Sequence, residues 1–103
     1  MAVAFKSKRI IFDNTSGQSQ LEPGSITFPG RTVRSAEAAI KGYNIAFADG
    51  DHHVLQTQID IDMGTIVGDT VNFNVDLVLR DGSGFFDDRY GGWVEVLVIA
   101  DVN

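Results

Sequence analysis

The sequence predicts an all-β fold, a single-domain antiparallel β-sandwich of six to eight strands. Residues 43–47, 55–63 and 71–79 alternate apolar and polar side chains with a period of two, which is typical of strands with one buried and one solvent-facing side. Turn-rich segments recur about every 8 to 12 residues, the spacing of sandwiches and small barrels. The chain has 103 residues, 44% of them apolar, so we expect residues 1–103 to form one domain with a sizeable core.

The N-terminal third contains two predicted strands and one segment with two interpretations. Residues 2–12 and 25–28 are predicted strands, separated by a polar stretch. Residues 35–42 suit a two-turn helix, with Ser35 as N-cap and Gly42 at the end. They equally suit a strand whose alternation changes phase at Gly42 through a bulge. We favour the strand, because the rest of the chain is β and a lone short helix is only marginally stable.

The remaining chain predicts a hairpin and a central closing strand. The runs 55–63 and 71–79, joined by residues 64–70, form the hairpin. Residues 93–102 are apolar on both faces except at Glu95 and Asp101. This indicates a central strand covered by a sheet on one side and by a partner chain or loop on the other. The predicted core consists of Tyr43, Ile45, Phe47, Leu55, Ile59, Ile61, Val71, Phe73, Val75, Leu77, Val96 and Val98.

The net charge of −6 is unevenly distributed along the chain. Residues 1–41 carry six bases and three acids, whereas residues 42–103 carry two bases and eleven acids. The only clustered bases are Lys6, Lys8 and Arg9, so we expect no nucleic-acid partner, which would require a basic stripe. The opposite charges suit attraction between copies of the chain, with residues 1–30 in subunit contacts. They also suit a single fold in which the two ends of the chain cover each other.

Cysteine usage and hydropathy exclude several classes of protein. The chain has no cysteine, which excludes disulfide scaffolds, thiolate metal sites and cysteine nucleophiles. Uninterrupted apolar runs, such as residues 96–100, are far shorter than the roughly 20 residues that span a bilayer. Polar sequence follows the basic residues near the N-terminus, where a signal peptide would need an apolar stretch. We therefore expect a soluble protein without membrane insertion or a visible export signal, and the sequence leaves the compartment open.

Two histidines raise the question of a metal site. His52 and His53 follow the turn-rich residues 49–51, and imidazole beside carboxylate suits a divalent metal. Adjacent residues on a strand point to opposite faces, however, so the two rings cannot easily share an ion. We interpret them as a turn and the start of a strand, with no metal or other cofactor expected. A contact of one histidine with a ligand or a neighbouring subunit is the remaining alternative.

Three aspartates are predicted to lie together on a strand surface. Asp60 and Asp62 share one face of their strand, and Asp76 lies across from them on the next strand. Paired carboxylates can serve glycoside hydrolysis, but no other element of such a cleft is visible in a chain of this size. We therefore interpret the aspartates as a solvated or subunit-facing polar surface and expect no enzymatic activity.

Residues 80–93 contain the side chains best suited to ligand binding. The segment is rich in glycine and carries arginine, aspartate, tyrosine and the only tryptophan. An aromatic face can stack on a sugar ring while charged groups bond its hydroxyls. We predict ligand contacts from Asp87, Asp88, Arg89, Tyr90 and Trp93, with Trp93 or Tyr90 as the stacking face and Asp88 and Arg89 as hydroxyl contacts.

Two other interpretations of this segment stay open. Calcium binding would use the oxygen ligands of Asp81, Ser83, Asp87 and Asp88, but their spacing is not that of a twelve-residue calcium loop. The second alternative is a mobile loop with Phe85 and Trp93 packed into the core.

The order of these segments resembles the H-type lectin domain over residues 36–100. The resemblance rests on the alternating strand 54–62, a second strand from Val71, the glycine-rich aromatic segment and the closing strand 94–100, with residue-level matches at 59–60 and 99–100. It implies a six-stranded antiparallel sandwich, assembly into trimers or multiples of trimers, and binding of galactose-type sugars near subunit junctions. That family often has a tryptophan-histidine pair before its last strand, whereas valine follows Trp93 here, so sugar specificity is not carried over.

The sequence thus predicts a non-enzymatic, lectin-like carbohydrate-binding protein that forms a homotrimer or hexamer. The alternative is a structural or assembly subunit, such as a phage, tail or surface-layer component, without small-ligand activity.

Overall fold

The computed structural model describes residues 2–17, 19–48, 54–82 and 88–103, which form six strands. The strands are β1 (Ala2–Thr15), β2 (Gln20–Thr27), β3 (Val33–Phe47), β4 (Val54–Val67), β5 (Thr70–Asp81) and β6 (Tyr90–Val102). Sheet A has the order β1-β6-β3 and sheet B the order β2-β5-β4, and all pairs are antiparallel. The predicted antiparallel β-sandwich is confirmed. No helix in the described ranges is long and apolar enough to cross a membrane.

The core lies between the two central strands, β5 and β6. Every second residue from Val71 to Asp81 and from Val94 to Val102 is buried, and full burial of a side chain such as valine or phenylalanine stabilises the fold by about 1.5–3 kcal/mol. Six predicted core residues are buried, namely Val71, Phe73, Val75, Leu77, Val96 and Val98. Four more are partly buried against them, namely Ile45, Phe47, Ile59 and Ile61.

The predicted burial is wrong for one core residue, and another predicted core side chain lies outside the described part of the chain. Tyr43 is 56% exposed, because β3 is an edge strand whose one partner among the described strands is β6. The side chain of Leu55 lies outside the described part of the chain.

Residues 35–42 are part of β3, so the strand interpretation is confirmed and the helix alternative is wrong. The register with β6 shifts between Ile40 and Gly42, which is the bulge expected at the change of phase. Ala36 and Ala38 pair with Ala100 and Val98 and pack against the core. Pairing with a central strand therefore overrides the helical preference of these alanines.

The β4–β5 hairpin is confirmed, with a tighter turn than predicted. The strands extend to Val67 and begin again at Thr70, so only Gly68 and Asp69 connect them. Gly68 has φ +60°, a conformation that glycine adopts at no steric cost and that suits the first position of a two-residue hairpin turn. The turn also joins the sheets, since the amide of Val33 donates to the carbonyl of Gly68 at 2.9 Å.

The sandwich is elongated, and both chain ends lie at the same end of it. The principal extents are 50 × 19 × 17 Å, and the radius of gyration is 15.8 Å, compared with about 13 Å for a typical chain of this length. Ala2 pairs with Val102 at one end of sheet A, and Thr15 pairs with Tyr90 at the other. The strands of sheet A therefore run the length of the molecule.

Candidate ligand-binding site

An open depression of about 430 Å³ lies at the end of sheet A opposite the chain termini. We call it the Gly91 cleft. Its lining residues are Phe12, Asp13, Asn14, Asn44, Ala46, Phe47, Ala48, Gly91, Gly92 and Trp93. These residues come from all three strands of sheet A and from the residue after β3.

Glycine is required in the middle of the cleft because the neighbouring backbones approach closely. A Cβ atom on Gly91 would lie 2.5 Å from the carbonyl oxygen of Phe12 and 2.9 Å from Oδ1 of Asn14. Gly92 has φ +141°, and a Cβ atom there would collide with the carbonyl oxygen of Asn44. The two glycines thus let β1 and β3 close around β6 and leave the centre of the cleft without side chains.

A bulge in β1 forms one wall of the cleft. Phe12 pairs with Gly92 and Thr15 pairs with Tyr90, so the register shifts between them. Such irregularities redirect side chains and often occur beside binding sites. The two residues within the bulge, Asp13 and Asn14, are both exposed. A carboxylate and an amide therefore lie at the same rim.

Trp93 lies between β1 and β3 on the outer side of sheet A, with Ile11 and Asn44 as its strand partners. One face of its ring is occupied, because Cζ of Arg9 lies 3.8 Å from the ring centroid. This is a cation–π contact, and Arg9 also lies 3.9 Å from the carboxylate of Glu95. A ligand can stack on Trp93 only through the other face or after Arg9 moves away.

Arg89 joins both walls of the cleft. Its Nη2 donates to the carbonyl of Asn14 at 3.1 Å, and its own carbonyl accepts from the amide of Ala48 at 2.8 Å. The Arg89 side chain is exposed, and its neighbour Asp88 is half-buried. The predicted contacts Arg89 and Trp93 therefore belong to one region, whereas Asp87 lies outside the described residues.

Tyr90 is in the core, so its predicted role as a stacking face is wrong. The residue is 1% exposed, and its hydroxyl donates to the carbonyl of Leu77 at 3.0 Å. Burial raises the pKa of Tyr90 above its ordinary value, because the phenolate would lose its hydration. The sequence contained the signal for this placement. Alternate residues of a strand face the same side, and Tyr90 is an even number of residues away from the buried Val94, Val96 and Val98.

Sequence reasoning missed three polar residues of the cleft, Asp13, Asn14 and Asn44. Asp13 and Asn14 follow a predicted strand, which is a local signal for a turn or bulge. No local signal places Asn44 in the same cleft, because that placement depends on both β1 and β3 pairing with β6. The site is assembled by topology and not by one sequence segment.

The three aspartates form a second polar feature, on the outer side of sheet B. The carboxylates of Asp60, Asp62 and Asp76 lie within 4.8 Å of one another, and Asp60 pairs directly with Asp76. The predicted placement is confirmed. The histidine interpretation cannot be assessed, because residues 49–53 lie outside the described ranges. Asp81 is buried, whereas Ser83 and Asp87, which would complete the calcium alternative, also lie outside the described residues.

Comparisons of the chain with protein-family models, with curated proteins and with solved structures found no match.

Proposed function

We propose that this protein is a non-enzymatic carbohydrate-binding module that holds a glycan in the Gly91 cleft. The observation that carries the proposal is the open, glycine-centred depression with Trp93 on its wall and polar side chains from two flanking strands at its rim. Concave sites that combine aromatic surface with a few converging polar groups are the usual form of small-ligand sites. An indole ring suits the apolar side of a pyranose, and carboxylates and amides suit its hydroxyls.

The side chains at the rim differ in the hydrogen bonds that they can donate to or accept from a sugar. The carboxylate of Asp13 accepts two or more hydrogen bonds from sugar hydroxyls, whereas the amides of Asn14 and Asn44 both donate and accept. Arg89 holds the bulge through the carbonyl of Asn14 and retains further guanidinium donors for a ligand. Asp88 precedes Arg89 in the chain.

A structural or assembly role is the second candidate, favoured by large apolar side chains on the outer side of sheet A. Val3 is 67% exposed, Phe5 73%, Ile11 58% and Ile99 44%. Exposed apolar patches commonly mark surfaces that contact other proteins. Assembly and sugar binding are compatible, because several linked sites raise the apparent affinity by about 10² to 10⁴. A galactose-type ligand and a homotrimer or hexamer are part of this proposal through the lectin resemblance.

The test is a glycan array on the parent chain, followed by calorimetry of any glycan bound. We expect Asp13→Asn and Asn44→Ala each to weaken binding about tenfold, since loss of one charged or buried hydrogen bond is worth about 1.5 kcal/mol. Trp93→Ala should weaken it further, and Trp93→Phe should retain part of the binding because a ring is kept. Asn74→Ala, an exposed asparagine on sheet B, is the matched control and should bind like the parent.

Two results would contradict the proposal. The first is a parent chain that binds no glycan at millimolar concentration. The second is a set of folded cleft variants that bind a glycan as tightly as the Asn74→Ala control does. Circular dichroism of each variant separates loss of binding from loss of fold, which matters most for Trp93→Ala because Arg9 packs on that ring.

A further inference from the structure

The strands β1 and β4, which lie on opposite long edges of the sandwich, carry opposite charges near their middle. On one edge β1 lies over β2, and on the other β3 lies over β4. We propose that copies of this chain associate edge to edge, with Lys6 and Lys8 of one copy against Asp60 and Asp62 of the next. This inference rests on the assembly part of the proposed function and is independent of glycan binding, because the contact does not involve the Gly91 cleft.

The basic edge is formed by two exposed lysines of β1. Lys6 Nζ donates to the carbonyl of Thr27 at 3.2 Å, and Lys8 Nζ donates to the carbonyl of Ser25 at 3.2 Å. Both carbonyls belong to β2, so the lysines extend across the opening between the sheets. An ammonium group has three donors, and each lysine uses one of them. Neither lysine forms an ion pair within the described chain.

The acidic edge is formed by two exposed aspartates of the edge strand β4, which face the outer side of sheet B, with Asp76 beside them on β5. The three carboxylates lie within 4.8 Å of one another, and like charges so close destabilise a strand surface. Within the described ranges, none of them pairs with a lysine or arginine. A cationic group from another molecule would therefore relieve their repulsion.

The two charged pairs have the same spacing. Lys6 and Lys8 are two residues apart on an extended strand, as are Asp60 and Asp62, so each pair spans about 6.5–7 Å. Two cations on one edge can therefore meet two anions on another, one to one. This charge complementarity identifies the occupant as a second copy, since every copy presents both edges.

Exposed apolar side chains on the edge strands β1 and β3 add surface that such a contact can bury. Exposed ion pairs contribute little by themselves. Phe5 on β1 is 73% exposed, on the opposite side of the strand from Lys6, and Ile40 and Tyr43 on β3, on the same edge as β4, are 43% and 56% exposed. Because the two edges differ, the contact is head to tail, and its repetition gives a closed ring when the rotation between copies permits it.

The test is the solution mass by light scattering at micromolar concentration and low salt. We expect the parent to have a multiple of the 11.2 kDa chain mass and to dissociate at high salt, because exposed charges are screened. The double reversals Lys6→Asp with Lys8→Asp, and Asp60→Lys with Asp62→Lys, should each give the mass of one chain. Combining all four substitutions restores complementarity and should restore the parent mass.

The matched control is Arg31→Asp with Arg34→Asp, which changes the net charge by the same amount as the lysine reversal at two other exposed bases. It should keep the parent mass. The proposal is overturned by a monomeric parent, by reversal variants that keep the parent mass, or by a control that dissociates equally. A folded fourfold variant that stays monomeric overturns it too.

Circular dichroism of each variant checks that it is folded. If the lysine reversal fails to fold, Lys6→Gln with Lys8→Gln replaces it. If an edge variant is monomeric and still binds glycan, the contact between copies and the binding of glycan in the Gly91 cleft are independent properties.

Discussion

At the scale of single residues, Tyr90 links the two sheets through one buried hydroxyl. The residue begins β6 in sheet A and donates to the carbonyl of Leu77 on β5 in sheet B at 3.0 Å. A buried hydroxyl without a partner would destabilise the fold, so this bond lets a polar atom lie in the core. The same burial raises the pKa of Tyr90, which makes stability depend on pH in the alkaline range.

We expect the free energy of unfolding to decrease as the pH rises above about 10, the ordinary pKa of tyrosine. In that range the unfolded chain releases the phenolic proton before the folded chain does, so alkali favours unfolding until the raised folded pKa is passed. Tyr90→Phe should remove this part of the alkaline loss and cost about 0.5–1.5 kcal/mol at pH 7 through the lost hydrogen bond. Denaturant titrations from pH 7 to 11 measure both effects.

The control for this experiment is Tyr43→Phe, which changes the only other tyrosine, a residue that is 56% exposed. It should follow the parent at every pH. If the difference in stability between the parent and Tyr90→Phe were constant from pH 7 to 11, the link between burial of Tyr90 and alkaline stability would be wrong.

At the scale of secondary-structure elements, β2 packs closely on the core because it has no side chain at Gly24. A Cβ atom there would lie 2.6 Å from Cε2 of Phe73 and 2.9 Å from Cδ1 of Ile10. The Phe73 ring, on the central strand β5, therefore rests directly on the backbone of an edge strand. By contrast, a Cβ atom on Gly42 of β3 would meet nothing within 4 Å.

These two glycines should respond oppositely to valine. Gly24→Val should destabilise the protein by about 1–3 kcal/mol, the usual cost of overpacking a core. Gly42→Val should be neutral or stabilising, because valine favours extended backbone and meets open space. Thermal or denaturant unfolding of both variants measures the contrast, and equal effects would show that Gly24 does not control the packing of β2.

The local sequence pattern predicted which segments form strands, but it did not predict which strands lie next to one another. Period-two alternation predicted β4 and β5, and the change of phase at Gly42 predicted the bulge in β3. The exposure of Tyr43 did not follow, because alternation cannot distinguish an edge strand from a central one. The presence of Asp13 and Asn44 in one cleft depends on two long-range pairings with β6, and no local pattern specifies those pairings.

At the scale of the whole molecule, each sheet is organised by one central strand. Among the described strands, β1 and β3 are joined in sheet A through β6, and β2 and β4 are joined in sheet B through β5. The pairing of Ala2 with Val102 spans almost the full sequence. Sheet A therefore cannot form until the C-terminal residues are in place, and a large loss of chain entropy precedes its stabilising contacts.

Refolding should accordingly take milliseconds to seconds, as in other β-sandwiches dominated by long-range pairing. Trp93 is the only tryptophan and lies on β6, so its fluorescence after dilution from denaturant reports the formation of sheet A. Refolding within microseconds would contradict the expected barrier.

The shared location of the chain ends has a practical consequence for immobilisation. Residues 2 and 102 are paired at one end of sheet A, and the Gly91 cleft lies near Phe12 at the other, about 33 Å away for ten residues of extended strand. A biotin or affinity tag on either end would therefore anchor the molecule to a sensor chip by its distal tip. In both orientations the cleft would face the flowing solution, so N-terminal and C-terminal capture should yield the same binding isotherm.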